Sequence, residues 1–238
     1  MLRRVAGEVE LADALAMLNA RSVARLLVVV MALGAGVRAQ NAGAPAPQRP
    51  TSTPYAGDLS IFEYPDRDKK LQIDRVMTLL HIQVGKTVAD IGAGSGWFSV
   101  RAAKRVGGHG SVLAEDINPK AIEYIDARAK KELLGNIHTV LGTPDDAKLP
   151  ASSVDAVLML KVYHEIARPI PFMIQLRASL RPGARVGIID RNGSGTDHGL
   201  NEPIVEKEMA EAGYRKVAKY DFTKADGQDY FLIFEVSH

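Results

Sequence analysis

The sequence predicts an α/β protein: a mostly parallel seven-stranded sheet that ends in an antiparallel hairpin, covered by helices on both faces as a three-layer αβα sandwich. Three observations predict it. From residue 66 onward, short β-branched runs alternate with longer amphipathic stretches, the pattern of parallel strands joined by crossover helices. The first strand runs directly into a glycine-rich turn that opens a helix. The last two apolar runs are separated only by a polar stretch, which is the mark of a hairpin.

In chain order, Asp66 to Ile82 comes first, with Leu71, Ile73, Val76, Leu79 and Leu80 as the apolar positions of an amphipathic helix that packs before the sheet begins. Strands are predicted at Thr87–Ile91, Ser111–Asp116, Ile137–Leu141, Val154–Leu160 and Arg185–Asp190. Between them, Trp97–Val106, Pro119–Leu133 and Pro169–Leu180 read as helices. Pro119 suits a first helical turn, where its missing N–H has no intrahelical partner to lose. Ile204–Ala212 supplies one more helix. Tyr214–Phe222 and Tyr230–Val236 then form the hairpin, joined by the polar run Thr223–Asp229.

The chain has 238 residues, a formal charge of +2 and no cysteine. That length allows one domain of ordinary size with a substantial core. The balanced charge gives no electrostatic argument for nucleic acid or an acidic membrane, and the missing cysteines exclude disulfides, thiolate metal sites and cysteine nucleophiles. The first 39 residues are different in character. From Met17 they read as a secretory signal: Arg21 and Arg25, an apolar run from Leu26 to Gly36, then Val37-Arg38-Ala39 as a small-residue cleavage site. Glu8, Glu10 and Asp13 are a poor front for such a signal, so translation is expected to start at Met17. The expected location is therefore outside the cytoplasm, periplasmic or extracellular. The alternatives are an uncleaved membrane tether or a cytoplasmic protein whose N-terminal residues form a helix of the fold. Cleavage after Ala39 would leave no stable membrane span. Residues 40–54, rich in Ala, Pro, Gly, Ser and Thr, read as a flexible linker, so the folded domain is placed at 55–238.

The chemistry begins at Asp90-Ile91-Gly92-Ala93-Gly94-Ser95-Gly96-Trp97, where strand gives way to turn and turn to helix. Glycines at 92, 94 and 96 let the backbone turn sharply and let a ligand lie against main-chain amides at a helix start. The dinucleotide fingerprint needs Gly-x-Gly-x-x-Gly or Ala, and the last position here is Trp97, which argues against a nicotinamide or flavin oxidoreductase.

This segment resembles the first motif of the class I S-adenosylmethionine-dependent methyltransferase family, an acidic residue followed by Gly-x-Gly-x-Gly. The resemblance extends over residues 60 to 238, as a type 11/25-like domain. It implies a Rossmann-like fold, S-adenosylmethionine as cofactor, and Asp90, Gly92, Ala93, Gly94 and Gly96 at the cofactor. It also implies a ribose-binding acid at the end of the second strand: Asp116, in Asp-Ile-Asn-Pro, with Glu115 as the alternative. After the third strand, Asp145 or Asp146 falls where the family presents an acid to adenine. Lys161-Val162-Tyr163-His164-Glu165 falls at the fourth motif, where Lys161 would line the cofactor pocket. His164 is the candidate general base, with Tyr163 and then Glu165 behind it. Asp190 and His198 follow the fifth strand, but no close spacing supports a metal site with His164 and none is assigned. The expected function is methyl transfer to a small molecule, without nucleic acid. A module on the same fold that binds or senses the cofactor without turnover is the alternative.

Overall fold

The computed structural model describes residues 48–237, so the signal, its cleavage site, the Met17 start and most of the linker lie outside the described residues. Seven strands form one sheet in the order β3-β2-β1-β4-β5-β7-β6. They are β1 (Thr87–Ile91), β2 (Ser111–Asp116), β3 (Ile137–Leu141), β4 (Val154–Leu160), β5 (Leu180–Asp190), β6 (Tyr214–Tyr220) and β7 (Tyr230–Val236). The first five run parallel, and β7 is antiparallel to both β5 and β6.

Each central strand is buried on both faces, and its period of two assigns residues to one layer or the other. Val88 points into one core, with Ala156 and Leu158 of β4, while Ala89 and Ile91 point into the opposite one with Val157 and Met159. Helices α1 (Arg67–Leu71), α2 (Ile73–Leu79), α3 (Trp97–Val106) and α4 (Pro119–Lys131) cover the first face. Helices α5 (Pro169–Arg177) and α6 (Glu202–Glu211) cover the second. Strand β7 joins the two cores: Tyr230, Leu232 and Phe234 enter one, Phe231 and Ile233 the other, all at most 1% exposed. Each such side chain contributes about 1.5–3 kcal/mol of burial.

Several elements differ from the sequence reading, each for a local reason. The single helix expected over Asp66–Ile82 is broken at Gln72, whose φ of 50° is left-handed. Residues two apart lie on opposite sides of a continuous helix, whereas the break lets both Leu71 and Ile73 enter the core. Helix α4 stops at Lys131 rather than Leu133, because Leu133 turns left-handed at φ 57° and leaves its side chain in solvent. Helix α5 likewise ends at Arg177, and β5 starts at Leu180, five residues earlier than expected, through an irregular pairing with β4. Phe222 belongs to a 3₁₀ turn (Phe222–Asp226) within the hairpin connection.

The largest difference is at the domain's start, where Arg49, Thr51 and Ser52 are packed onto the domain while Gln48, Pro50, Thr53 and Pro54 stay exposed. Arg49 N–H donates to Ala167 O and its Nε to Ile166 O, both at 3.0 Å. The same guanidinium bonds the Tyr163 carbonyl, pairs with Glu208 at 3.2 Å and lies over the Tyr163 ring. Ser52 is buried. A composition rich in Pro and Ala predicts little self-folding, but it does not register that one arginine can fasten the segment to an existing surface. Among the described residues, no helix is long and apolar enough to cross a membrane.

Candidate functional site

A cleft of about 620 Å³ opens at the carboxyl ends of β1, β2 and β4, the place where open α/β sheets bind ligands. Its floor is the turn after β1. Gly92 has φ 65°, and a Cβ there would sit 2.3 Å from Val162 Cγ2, so only glycine lets this turn pass the loop after β4. Gly94 also has a left-handed φ of 55°, but a Cβ would meet nothing nearer than Phe62 at 3.6 Å: its face is open to the cleft. The turn is tied to β2 by Ala93 N–H donating to Glu115 O at 2.8 Å, and Gly96 caps the start of α3.

Four carboxyl groups line this cleft. Asp90 is buried at the end of β1 and accepts from Ser99 Oγ of α3 at 2.6 Å; burial pushes it up to about 7. Glu115 is pressed between Gly92 and Gly142, with Oε1 buried and without a partner, and burial pushes it up to about 8. Asp116 accepts from Gly94 N–H at 2.8 Å through Oδ2 and from Asn118 N–H at 2.9 Å through Oδ1; burial raises it too. A carboxylate offers about four lone pairs, so two remain for a pair of neighbouring hydroxyls. Glu165 lines the cleft from the loop after β4, pushed up to about 6 by burial.

Two cations face these acids. Lys161 lines the cleft at a left-handed φ of 62°, and burial lowers its ammonium. Arg67, at the start of α1, is 5% exposed, with its guanidinium 4.3 Å from the centre of the Trp97 ring and its Nε unpartnered. Sequence reading missed Arg67; nothing in its local pattern distinguishes it from a surface arginine, and only the break at Gln72 and the stacking on Trp97 reveal its place. The packed N-terminal segment was missed as well, and Thr51, Pro54 and Tyr55 line the cleft.

The remaining predicted positions lie at varying distance from the cleft. After β3 it is Thr143 and Pro144 that line it, while Asp145 is paired with Arg168 and Asp146 with Lys148. Tyr163 is fully buried in the core beneath Arg49 and does not reach the cleft wall. His164 also lies behind that wall, 2% exposed, with Nδ1 2.8 Å from Asp190 Oδ2 and 3.0 Å from Oδ1. Its Nδ1 therefore carries the proton toward Asp190, and its Nε2 has no hydrogen-bond partner among the described residues.

Comparison with known proteins bears on this arrangement. Residues 88–183 match the family model described as a methyltransferase domain. An uncharacterized methyltransferase of Mycobacterium tuberculosis is 32% identical over 106 residues, 44% of this chain and 39% of that protein. A ribosomal protein L11 methyltransferase of Burkholderia thailandensis is 32% identical over 108 residues, 45% of this chain and 32% of that one. The chain thus spans less than half the length of these curated relatives. Among solved structures, a SAM-dependent methyltransferase from Aquifex aeolicus superposes with a TM-score of 0.68 at 23% identity, covering 76% of this chain and all of that one.

Proposed function

We propose that the chain is a class I S-adenosylmethionine-dependent methyltransferase that binds S-adenosylmethionine in the cleft and transfers the methyl group to a small-molecule acceptor, a reading supported by the methyltransferase-domain match over residues 88–183 and by the shared fold. One observation carries the reading: the Asp116 carboxylate is fixed by Gly94 and Asn118 amides at the open face of the glycine turn, with two acceptor positions left. That is the arrangement a ribose diol needs. Gly94 keeps the surface beside it clear, since a side chain there would fill the face on which a nucleoside lies.

The charge pattern supports the same ligand. Burial raises Asp90, Glu115, Asp116 and Glu165 above their ordinary values, and a ligand that brings positive charge beside them would favour their ionised forms. Arg67, buried with an unpartnered Nε, is suited to a ligand carboxylate. When bound, S-adenosylmethionine supplies a methyl group on a sulfonium, a reactive electrophile that needs a positioned nucleophile. The chain's contribution is orientation and exclusion of water: Tyr55, Phe62, Ile166 and Phe172 are among the apolar residues that line the cleft. Glu165 is the carboxyl group at the cleft surface best placed to take an acceptor proton, and the Asp190–His164 pair stands directly behind it.

Tyr163 and His164 lie off the cleft wall, and this favours a second reading in which the domain binds the cofactor without turnover. Calorimetric titration of residues 40–238 with S-adenosylmethionine and S-adenosylhomocysteine tests the shared premise: saturable binding that Asp116→Ala abolishes supports it, and absence of binding by the folded domain overturns it. Single-turnover assays with an acceptor panel then separate the two readings. Export is part of the proposal, supported by the apolar run Leu26–Gly36 before Ala39. N-terminal sequencing of the mature chain checks it, and a chain that retains residues 17–39 in a soluble cytoplasmic fraction refutes it.

A further inference from the structure

We propose that His164, Glu165 and His198 form a binding site for a divalent transition-metal ion at the margin of the cleft. One ligand atom from each, an imidazole nitrogen from His164 and His198 and a carboxylate oxygen from Glu165, lies within 4.8 Å of the others. His164 Nε2 is 3.8 Å from Glu165 Oε1, and the two imidazole rings are 6.0 Å apart between centroids at 88°. Ligand atoms held at about 2.1 Å from one ion lie roughly 3.0–3.5 Å apart, so closure needs rotamer adjustments of Glu165 and His198, not movement of the fold. His198 is exposed and free to make that adjustment.

The second observation is the state of His164 itself. It is 2% exposed, its Nδ1 is engaged by both oxygens of Asp190, and its Nε2 is buried with no hydrogen-bond partner among the described residues. A buried imidazole nitrogen left unpaired is costly, and a carboxylate on the opposite nitrogen is the usual outer support of a metal-bound histidine: it fixes the tautomer with the lone pair on Nε2. Asp190 is fully buried and also accepts from Arg191 N–H at 2.9 Å, so it is itself held in place. On the far side, Arg191 Nε donates to His198 O at 3.0 Å, anchoring the loop that presents the third ligand.

Two imidazoles and one carboxylate, with no sulfur, select ions of the zinc, iron and manganese type and leave coordination positions open. Because Glu165 also lines the cleft, those positions border the acceptor's place. An ion there would bind an acceptor oxygen and make its proton easier to lose to solvent, with Glu165 then a ligand in place of the base; that role rests on the methyl-transfer reading, whereas metal binding does not.

The test uses untagged protein freed of metal with a chelator and titrated with Zn²⁺ and with Mn²⁺ by calorimetry, without S-adenosylmethionine. One equivalent of at least one ion is expected. His198→Ala, on an exposed loop, should weaken binding at least 100-fold while leaving the thermal melt in chelator unchanged, and Glu165→Gln should do the same. Asp190→Asn should weaken it about 10–100-fold, and His138→Ala, on the exposed face of β3, should have no effect. Failure of the wild-type protein to bind either ion saturably, or affinity unchanged by His198→Ala and Glu165→Gln, overturns the proposal. Since S-adenosylmethionine binding is measured separately, loss of one reading leaves the other standing.

Discussion

Glu115 offers a quantitative test of the electrostatics of the cleft. Its carboxyl group moves from 4.5 to about 8 on folding, mainly by burial, with the neighbouring acids adding to it. A carboxyl raised in the folded state binds more protons folded than unfolded between those two values, so its contribution to stability is complete below pH 4.5 and is lost as the pH rises through about 8. At about 1.4 kcal/mol per pH unit, the loss between about pH 5 and about pH 9 is about 4 kcal/mol. Glu115→Gln keeps the shape and an oxygen for Gly92 N–H, which lies 3.4 Å from Oε2, and removes the titration. Urea unfolding of both proteins across that range should therefore show the variant gaining about 4 kcal/mol on the wild type at the alkaline end. Asp90, also raised by burial, titrates in both proteins, and the difference between them reads Glu115 together with its repulsion from Asp90. Parallel stability curves for the two proteins would refute the reasoning, because they would mean Glu115 is ionised and satisfied in the folded chain.

Other predictions follow from single contacts. Asp116→Ala should lower affinity for S-adenosylhomocysteine at least about 150-fold by calorimetry, as two hydrogen bonds to a charged acceptor are lost at about 1.5–3 kcal/mol each. Gly92→Val should fail to fold or melt far lower, since its Cβ alone would stand 2.3 Å from Val162, whereas Gly94→Val should cost only the strain of its positive φ, about 1–3 kcal/mol, and abolish cofactor binding. Arg49→Ala removes bonds to Tyr163 O, Ile166 O and Glu208; limited proteolysis should then cut within residues 48–56, with a loss of about 2 kcal/mol in unfolding.

The sheet was legible in the sequence because its strands are short apolar or alternating runs bounded by turn residues, and β1, β2, β3 and β4 fall at the expected residues; β1 and β4 are buried on both faces, whereas in the edge strand β3 only Ile137 is buried. The glycine turn was legible because its residue types are forced by backbone geometry. What escaped was tertiary. Leu71 and Ile73 give a plausible helical stripe with their neighbours, and only the shape of the core demands the break between them. Arg49 and Arg67 are ordinary arginines until the surfaces they meet exist. His164 and Asp190 are 26 residues apart and meet because β4 and β5 are neighbours whose ends lie side by side. Sequence spacing therefore gave no support to a cluster with His198, although all its members had been noticed by residue type. Asp145 and Asp146 occupy a place that composition favours in turns, and their carboxylates serve Arg168 and Lys148.

The position of β7 sets the order in which the molecule can be completed. The last strand to be made lies inside the sheet, between β5 and β6, and brings side chains to both layers at once. Until residue 230 and those after it emerge, β5 has an open edge, β6 has no partner, and each core lacks part of its filling. A ribosome-bound chain stalled before residue 230 would show this directly as protease sensitivity that disappears once residue 236 is reached.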